Sequence, residues 1–259
     1  MTTSLIPQLS LRFIPVWRRN LLVWRKIMVP SILGNFGEPV LYLLAFGYGF
    51  GQLVGDLGDL PYMVFLASGI ICSSAMYTAS FEGMYSAYTR MSEQKTWDGL
   101  LGAPLNLDDI VLGEIIWAAT KALMSAAAIL VVATLLGLVS DPRALLALPV
   151  ILLAGFTFAA CAMIVTALSR SYDFFLYYFT LAITPMLLLS GVFFPLEQLP
   201  DMIVILAHLL PLVHVVEVVR PLMIGEWPTH VLLHLGVVAA YGGGALSLST
   251  WLLRRRLMC

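Results

Sequence analysis

Lysine is almost missing from this chain of 259 residues. Its three copies follow Arg25, Gln94 and Thr120, so the Gly-Lys step of a phosphate-gripping P-loop does not occur. That excludes a Walker-type ATPase. The hydrolase motifs GxSxG and HExxH are absent as well, and no nucleic-acid-binding motif is present. Cysteine is scarce: Cys72, Cys161 and Cys259 stand in apolar runs or at the end, in no metal or redox spacing. They predict reduced packing residues and no disulfide framework. Residues 1–26 are basic and amphipathic but lack a small-residue cleavage site, so no secretory signal is evident. Charge of either sign is rare, at 11% against about 25% in a soluble domain. With 60% apolar residues and a mean hydropathy of +0.93, the composition is that of an integral membrane protein.

Six runs reach the roughly 20 apolar residues that a spanning helix needs: about 28–51, 61–84, 107–138, 144–168, 174–194 and 229–253. The third is longer than required and can tilt or project. Residues 195–228 are apolar too, but Pro195, Pro200, Pro211, Pro221 and Pro228 cut them into pieces of about ten residues, roughly 15 Å of helix each. Such pieces predict interfacial or re-entrant half-helices.

Charge sets the expected orientation. Arg12, Arg18, Arg19, Arg25 and Lys26 precede the first run, Arg90 and Lys95 follow the second, Arg170 follows the fourth, and Arg254, Arg255 and Arg256 follow the sixth. The alternate loops hold only Arg143 and Arg220, together with seven acids, among them Asp56, Asp141, Glu197 and Glu226. The bias predicts that both termini are cytoplasmic. Within 9–28, Phe13, Trp17, Leu21, Trp24 and Met28 share one helical face and the basic residues the other. That is the pattern of a helix lying along cytoplasmic headgroups, or of a basic juxtamembrane anchor.

Three ionisable residues inside the runs stand out. Glu38 precedes Pro39 in the first, while Glu114 and Lys121 share a face of the third, with Lys121 about 20 Å along it. They are candidates either for a conduit or subunit interface that handles a polar headgroup, or for an ion pair between helices. The histidines cluster late, at 208, 214, 230 and 234, and the last two have the i, i+4 spacing of metal ligands on a helix. No carboxylate pattern accompanies them, so interfacial histidines and no metal site are expected. Between the second and third runs, Trp97, Leu100 and Leu101 make a short amphipathic stripe, limited by Pro104. Asn106 can cap the following run, with Asp108 and Asp109 in its first turn. No internal repeat relates the two halves, which argues against a secondary transporter driven by protons through the buried charges.

Six blocks carry a family resemblance: VWRRNLLVWRK (16–26), SILGNFGEPVLYL (31–43), TWDGLLGAPLNLDDIVLGEIIWAATKA (96–122), ALSRSYDFF (167–175), ITPMLLLSGVFFPLEQLP (183–200) and LLRRRLMC (252–259). They resemble ABC-2 type transporter permeases nearly end to end, and within these the NodJ-like branch, which exports nodulation factor. The resemblance implies an all-α integral membrane fold of the type V exporter kind. An interfacial amphipathic helix (1–28) precedes a transmembrane domain (29–259) of six spans, with a cytoplasmic coupling helix at about 94–103 and an external re-entrant segment at about 195–228. It implies residence in the bacterial inner membrane, a second copy of the chain, and a dimeric cytoplasmic ABC ATPase (NodI-like) that holds ATP and Mg, with no cofactor or catalysis on this chain.

By the same resemblance, Lys95, Thr96, Trp97, Asp98, Leu100 and Leu101 form the ATPase-coupling helix, its apolar stripe a knob for a groove on the partner. Phe13, Trp17, Arg18, Arg19, Trp24 and Arg25 form the interfacial helix, and Phe193, Phe194 and Leu196 an outer gate. The implied cargo is an amphiphile, a lipo-chitooligosaccharide or else another glycolipid, polysaccharide, lipid or drug.

Overall fold

A computed structural model describes residues 7–49, 51, 56–57, 60–139 and 141–258, apart from the side chains of 32–36, 38, 39, 48, 56, 57 and 258. In chain order the helices are α1 (Phe13–Arg25), α2 (Met28–Gly49), α3 (Tyr62–Phe81), α4 (Thr96–Leu101), α5 (Leu107–Leu135), α6 (Ala147–Leu168), α7 (Asp173–Tyr178), α8 (Thr184–Leu189), α9 (Asp201–Ala207), α10 (Pro211–Met223) and α11 (Val231–Met258). Two-residue strands, β1 (Asp56–Leu57) and β2 (Leu60–Pro61), pair antiparallel before α3.

Among the described residues, four helical stretches are long and apolar enough to cross a membrane: Tyr62–Glu93, Leu107–Leu135, Pro142–Leu168 and Val231–Leu257. They coincide with the second, third, fourth and sixth expected spans. A fifth appears if Asp201–Ala207 and Pro211–Met223, bent 90° to one another, are counted as one. The first expected span is the 22-residue α2. The fifth is the apolar stretch Asp173–Leu189, shorter than the other four.

The stretch beginning with α3 runs past the expected boundary at residue 84. Two π-helical turns, Glu82–Ser86 and Thr89–Glu93, carry it to Glu93, and Arg90 therefore lies on a helix instead of in a loop.

α6 is the central column and touches α3, α5, α10 and α11. Lipid tails are as apolar as leucine, so helices in a bilayer gain by close approach of small side chains and by hydrogen bonds between them. Both appear here. A Cβ on Gly155 of α6 would lie 2.9 Å from the Ala122 Cβ and 3.1 Å from the Ala119 Cα of α5. Thr166 Oγ1 donates to the Gly83 carbonyl at 2.8 Å, and the Ser74 and Ser125 hydroxyls meet at 2.9 Å between α3 and α5. Where the extension of α3 to Glu93 meets α7, Tyr85, Tyr88, Tyr172 and Phe175 pack as stacked and edge-on rings.

Candidate functional site

Two ends of the bundle carry the residues singled out by sequence. At one end, α1 lies across α5 with Val16, Asn20 and Trp24 buried against it, and Phe13 and Trp17 beside them. Gly113 permits the contact, because a Cβ there would stand 2.6 Å from the Val16 Cβ. Trp17 Nε1 donates to Thr120 Oγ1 at 3.1 Å, Trp24 Nε1 donates to Ser31 Oγ at 2.8 Å, and the Trp24 ring meets Trp117 edge-on. Apart from exposed Met28, the apolar face read from the sequence is therefore a helix–helix seam and not a lipid-facing surface. The outward face is a mixture: Leu11, Ile14, Leu22 and Val23 are exposed among exposed Arg18, Arg25 and Lys26.

Under α1 lies a cluster of compensated charges. Glu82 and Glu114 are buried, and Arg90 reaches both, with Nη2 at 2.9 Å from Glu82 Oε1 and 2.6 Å from Glu114 Oε2. Lys121 Nζ lies 2.8 Å from Glu82 Oε2. Trp117 Nε1 donates to Glu82 at 3.0 Å, Ser86 Oγ to Glu82 at 3.0 Å, and Asn20 Nδ2 to Glu114 at 3.1 Å. Two carboxylates and two cations thus balance, and three neutral donors fill further oxygen lone pairs, as buried ions require.

Lys121 and Glu114 belong to the same cluster but do not pair with each other; Glu82 and Arg90 link them. Sequence reading missed those two, counting Glu82 into an apolar run and Arg90 into a loop. In an unbroken α-helix Arg90, eight residues on, would be turned about 80° from Glu82, and the π turns remove most of that offset. The side chain of Glu38 lies outside the described residues.

α4 hangs from this cluster. Arg19 bridges to it, with Nη1 donating to Asn20 Oδ1 at 3.0 Å and Nη2 to Thr96 Oγ1 at 3.4 Å. Burial pushes the Arg19 guanidinium below its ordinary value, against the opposing pull of Glu114. Lys95 enters α4 in the left-handed region, at φ 48°. The Trp97 knob expected at the surface is corrected by the structure: Trp97 is only 1% exposed and packs in the chain's own core, flanked by half-buried Leu100 and Leu101. A stripe with this periodicity must be buried against something, and here that something is the same chain. What α4 presents outward is polar and small: Glu93, Gln94, Lys95, Asp98, Gly99 and Gly102 are exposed, with open space around Gly99.

The α4–α5 corner is clasped from both chain ends. Asp109 Oδ2 accepts from Asn106 N at 3.1 Å in a capping box, and Asp109 Oδ1 accepts from Ser10 Oγ at 2.5 Å. Asp108 accepts from Gln8 N at 2.7 Å and from Arg254 Nε at 2.9 Å. Arg256 donates to the last carbonyls of α6, Thr166 O at 2.7 Å and Ala167 O at 3.1 Å, which lack helical partners.

At the other end, the turn after α8 is built around Gly191, at φ 69°, a conformation glycine adopts without strain. Arg220 of α10 holds it. Its Nη2 donates to Gly191 O at 2.5 Å and its Nε to Ser68 Oγ at 3.0 Å, and the guanidinium lies 3.7 Å from the Phe65 ring centre. Replacing Arg220 by Met keeps the apolar stem but strands these acceptors. About 1–3 kcal/mol should be lost, read as a lower unfolding midpoint of the purified chain.

The structure does not bring the three gate candidates together as one set. Phe193 packs against Phe46 at 6.0 Å, Phe194 is half-buried, and Leu196 sits in a small cluster with Ala207 and Val213. His230 and His234 do not converge either; His234 meets His214 instead. Among the described residues no group of three potential ligands could hold a metal.

Apolar spans, a small helix slung from the bundle and a broken helix pair at the opposite end mark a multi-pass membrane protein. Residues 12–224 match the ABC-2 type transporter family, and the chain belongs to that family. It is 46% identical over 255 residues to nodulation protein J of Sinorhizobium fredii (strain NBRC 101917 / NGR234), covering 98% of this chain and 97% of the relative. It is 47% identical over 253 residues to nodulation protein J of Rhizobium meliloti (strain 1021), with the same coverage. The inner membrane transport permease YadH of Escherichia coli (strain K12) is 27% identical, covering 77% of this chain and 76% of the relative. The chain is thus the permease subunit of an ABC exporter, and membership of the family implies an ABC ATPase as its partner.

Proposed function

We propose that two copies of this chain join a dimeric, NodI-like cytoplasmic ATPase and export an amphiphilic glycolipid of the lipo-chitooligosaccharide class from the bacterial inner membrane. Nodulation protein J relatives at 42–47% identity over nearly the whole chain support this reading of the cargo. In the full proposal α2 and Asp173–Leu189 complete six spans, both termini are cytoplasmic, and the hairpin α9–α10 is re-entrant on the outer face. The outward Leu–Arg face of α1 lies against the inner-leaflet headgroups. ATP and Mg are held by the partner, whose closure moves α4; no chemistry occurs on this chain.

One observation carries the coupling role: α4 is too short to be stable alone and is fixed to the spans by buried Trp97 and by Arg19. A push on its exposed side therefore reaches α1, α3 and α5 through the charge cluster, instead of being absorbed by a loose loop. The docking residues are then the exposed ones, Glu93, Lys95, Asp98, Gly99 and Gly102, while Trp97, Leu100 and Leu101 serve as the anchor. The proton-driven alternative gains no support from Glu82, Glu114 and Lys121, which are mutually compensated.

The test is ATP hydrolysis in lipid nanodiscs by the chain co-purified with its ATPase. Asp98→Arg and Gly99→Trp should each leave the chain folded and lower ATPase retention and stimulated hydrolysis at least tenfold. Full retention in both variants would move the docking site elsewhere. Transport that persists without any ATPase, on a proton gradient, would overturn the exporter reading.

A further inference from the structure

His214 on α10 and His234 on α11 are both buried, and their Nδ1 atoms stand 2.8 Å apart. Such a contact needs one N–H and one lone pair. The other nitrogen of His214 decides which is which. His214 Nε2 lies 2.9 Å from the His208 carbonyl oxygen, which has only lone pairs to offer. Nε2 therefore carries the proton, Nδ1 of neutral His214 accepts, and His234 is the Nδ1–H tautomer that donates to it. His234 retains one free lone pair, on Nε2.

We propose that His214 and His234 form a one-proton joint between the hairpin 201–223 and the last span. The joint holds with no added proton or with one, and parts when a second arrives. The first proton lands on His234 Nε2 and makes the Nδ1–H···Nδ1 bond charge-assisted, hence stronger. The second has only His214 Nδ1 to occupy, the atom already accepting, and two N–H groups would then face each other at 2.8 Å.

The groups that face His234 are Glu217 on α10, His208 at the end of α9 and His230 just before α11. Tyr241 Oη, donating to Leu209 O at 2.6 Å, is a second tie between α11 and the hairpin. In the unfolded chain both imidazoles bind protons independently near pH ~6.5. The folded pair takes its second proton only by breaking, so below that pH the unfolded state binds more protons and stability falls with acid. On the orientation of the proposed function, which this step alone rests on, the joint faces outside and external acid loosens the hairpin that caps the spans.

The chain has four histidines, so its 15N-histidine spectrum in nanodiscs can be assigned by single substitutions. Spectra would be followed from about pH 8 to about pH 4.5, a window that brackets histidine titration, alongside amide exchange. At the alkaline end the expected result is an Nδ1–H signal lost in His234→Gln, beside that of His208, whose Nδ1 lies 2.8 Å from the Val204 carbonyl oxygen, and an Nε2–H signal lost in His214→Gln. The two should shift together in two steps, with exchange across 207–235 rising only at the second. If either variant fails to fold, His208→Gln and His230→Gln leave the pair intact and assign it by elimination. Opposite tautomers, or two independent single-step titrations, would overturn the joint. ATPase retention measured on the same samples reports separately on the exporter reading.

Discussion

Arg90→Met should lower the stability of the folded chain by about 3–5 kcal/mol, the usual cost of removing one partner from a buried ion cluster. The substitution leaves Glu114 buried with a hydrogen bond from Asn20, and Glu82 held by Lys121, Trp117 and Ser86. The expected readout is a markedly lower unfolding midpoint, followed by tryptophan fluorescence, since Trp24 and Trp117 report on this region. A second substitution, Glu114→Gln, should recover most of the loss, because the penalty comes from the stranded carboxylate and not from the missing arginine volume. An unchanged midpoint in Arg90→Met would mean that water already solvates the cluster and that the spans are held together by packing alone.

Gly113→Leu should separate α1 from α5. The first added atom would lie 2.6 Å from the Val16 Cβ and 3.0 Å from the Phe13 carbonyl oxygen, so backbone as well as side chain must move. Overpacking of this kind costs about 1–3 kcal/mol. The functional loss should be larger than that, because displacing α1 also draws Arg19 from Thr96 and Asn20 from Glu114. Rapid proteolysis after Arg18, Arg19 or Arg25, with ATPase-stimulated export near background, is the expected result. Val16→Ala in the same chain should restore both in part. Slow wild-type cleavage and normal export in Gly113→Leu would show that α1 is not part of the coupling path.

The sequence made the helical segments legible because a run of twenty apolar residues has few other uses. The cap at Asn106 and the basic α1 were legible for the same reason: local chemistry specifies them. What it left open were the partners. The stripes on α1 and α4 both have correct periodicity, yet period reports only that a face is buried, and both are covered by the chain's own bundle. Glu82 and Arg90 escaped notice because their alignment depends on two π turns, whose wide geometry leaves no mark in composition or spacing. The relation of Glu114 to Lys121 was visible as a shared face; that Glu82 and Arg90 stand between them was not.

Asp108 has a bearing on how the protein is made. Its carboxylate is gripped by Gln8, ahead of α1, and by Arg254, near the end of α11. The early segment can reach α5 as soon as that helix is inserted, but the grip on Asp108 closes only when the end of α11 arrives. Until α11 is made, the corner that carries α4 is thus held from one side only, and a chain that lacks α11 cannot offer its partner a finished docking face.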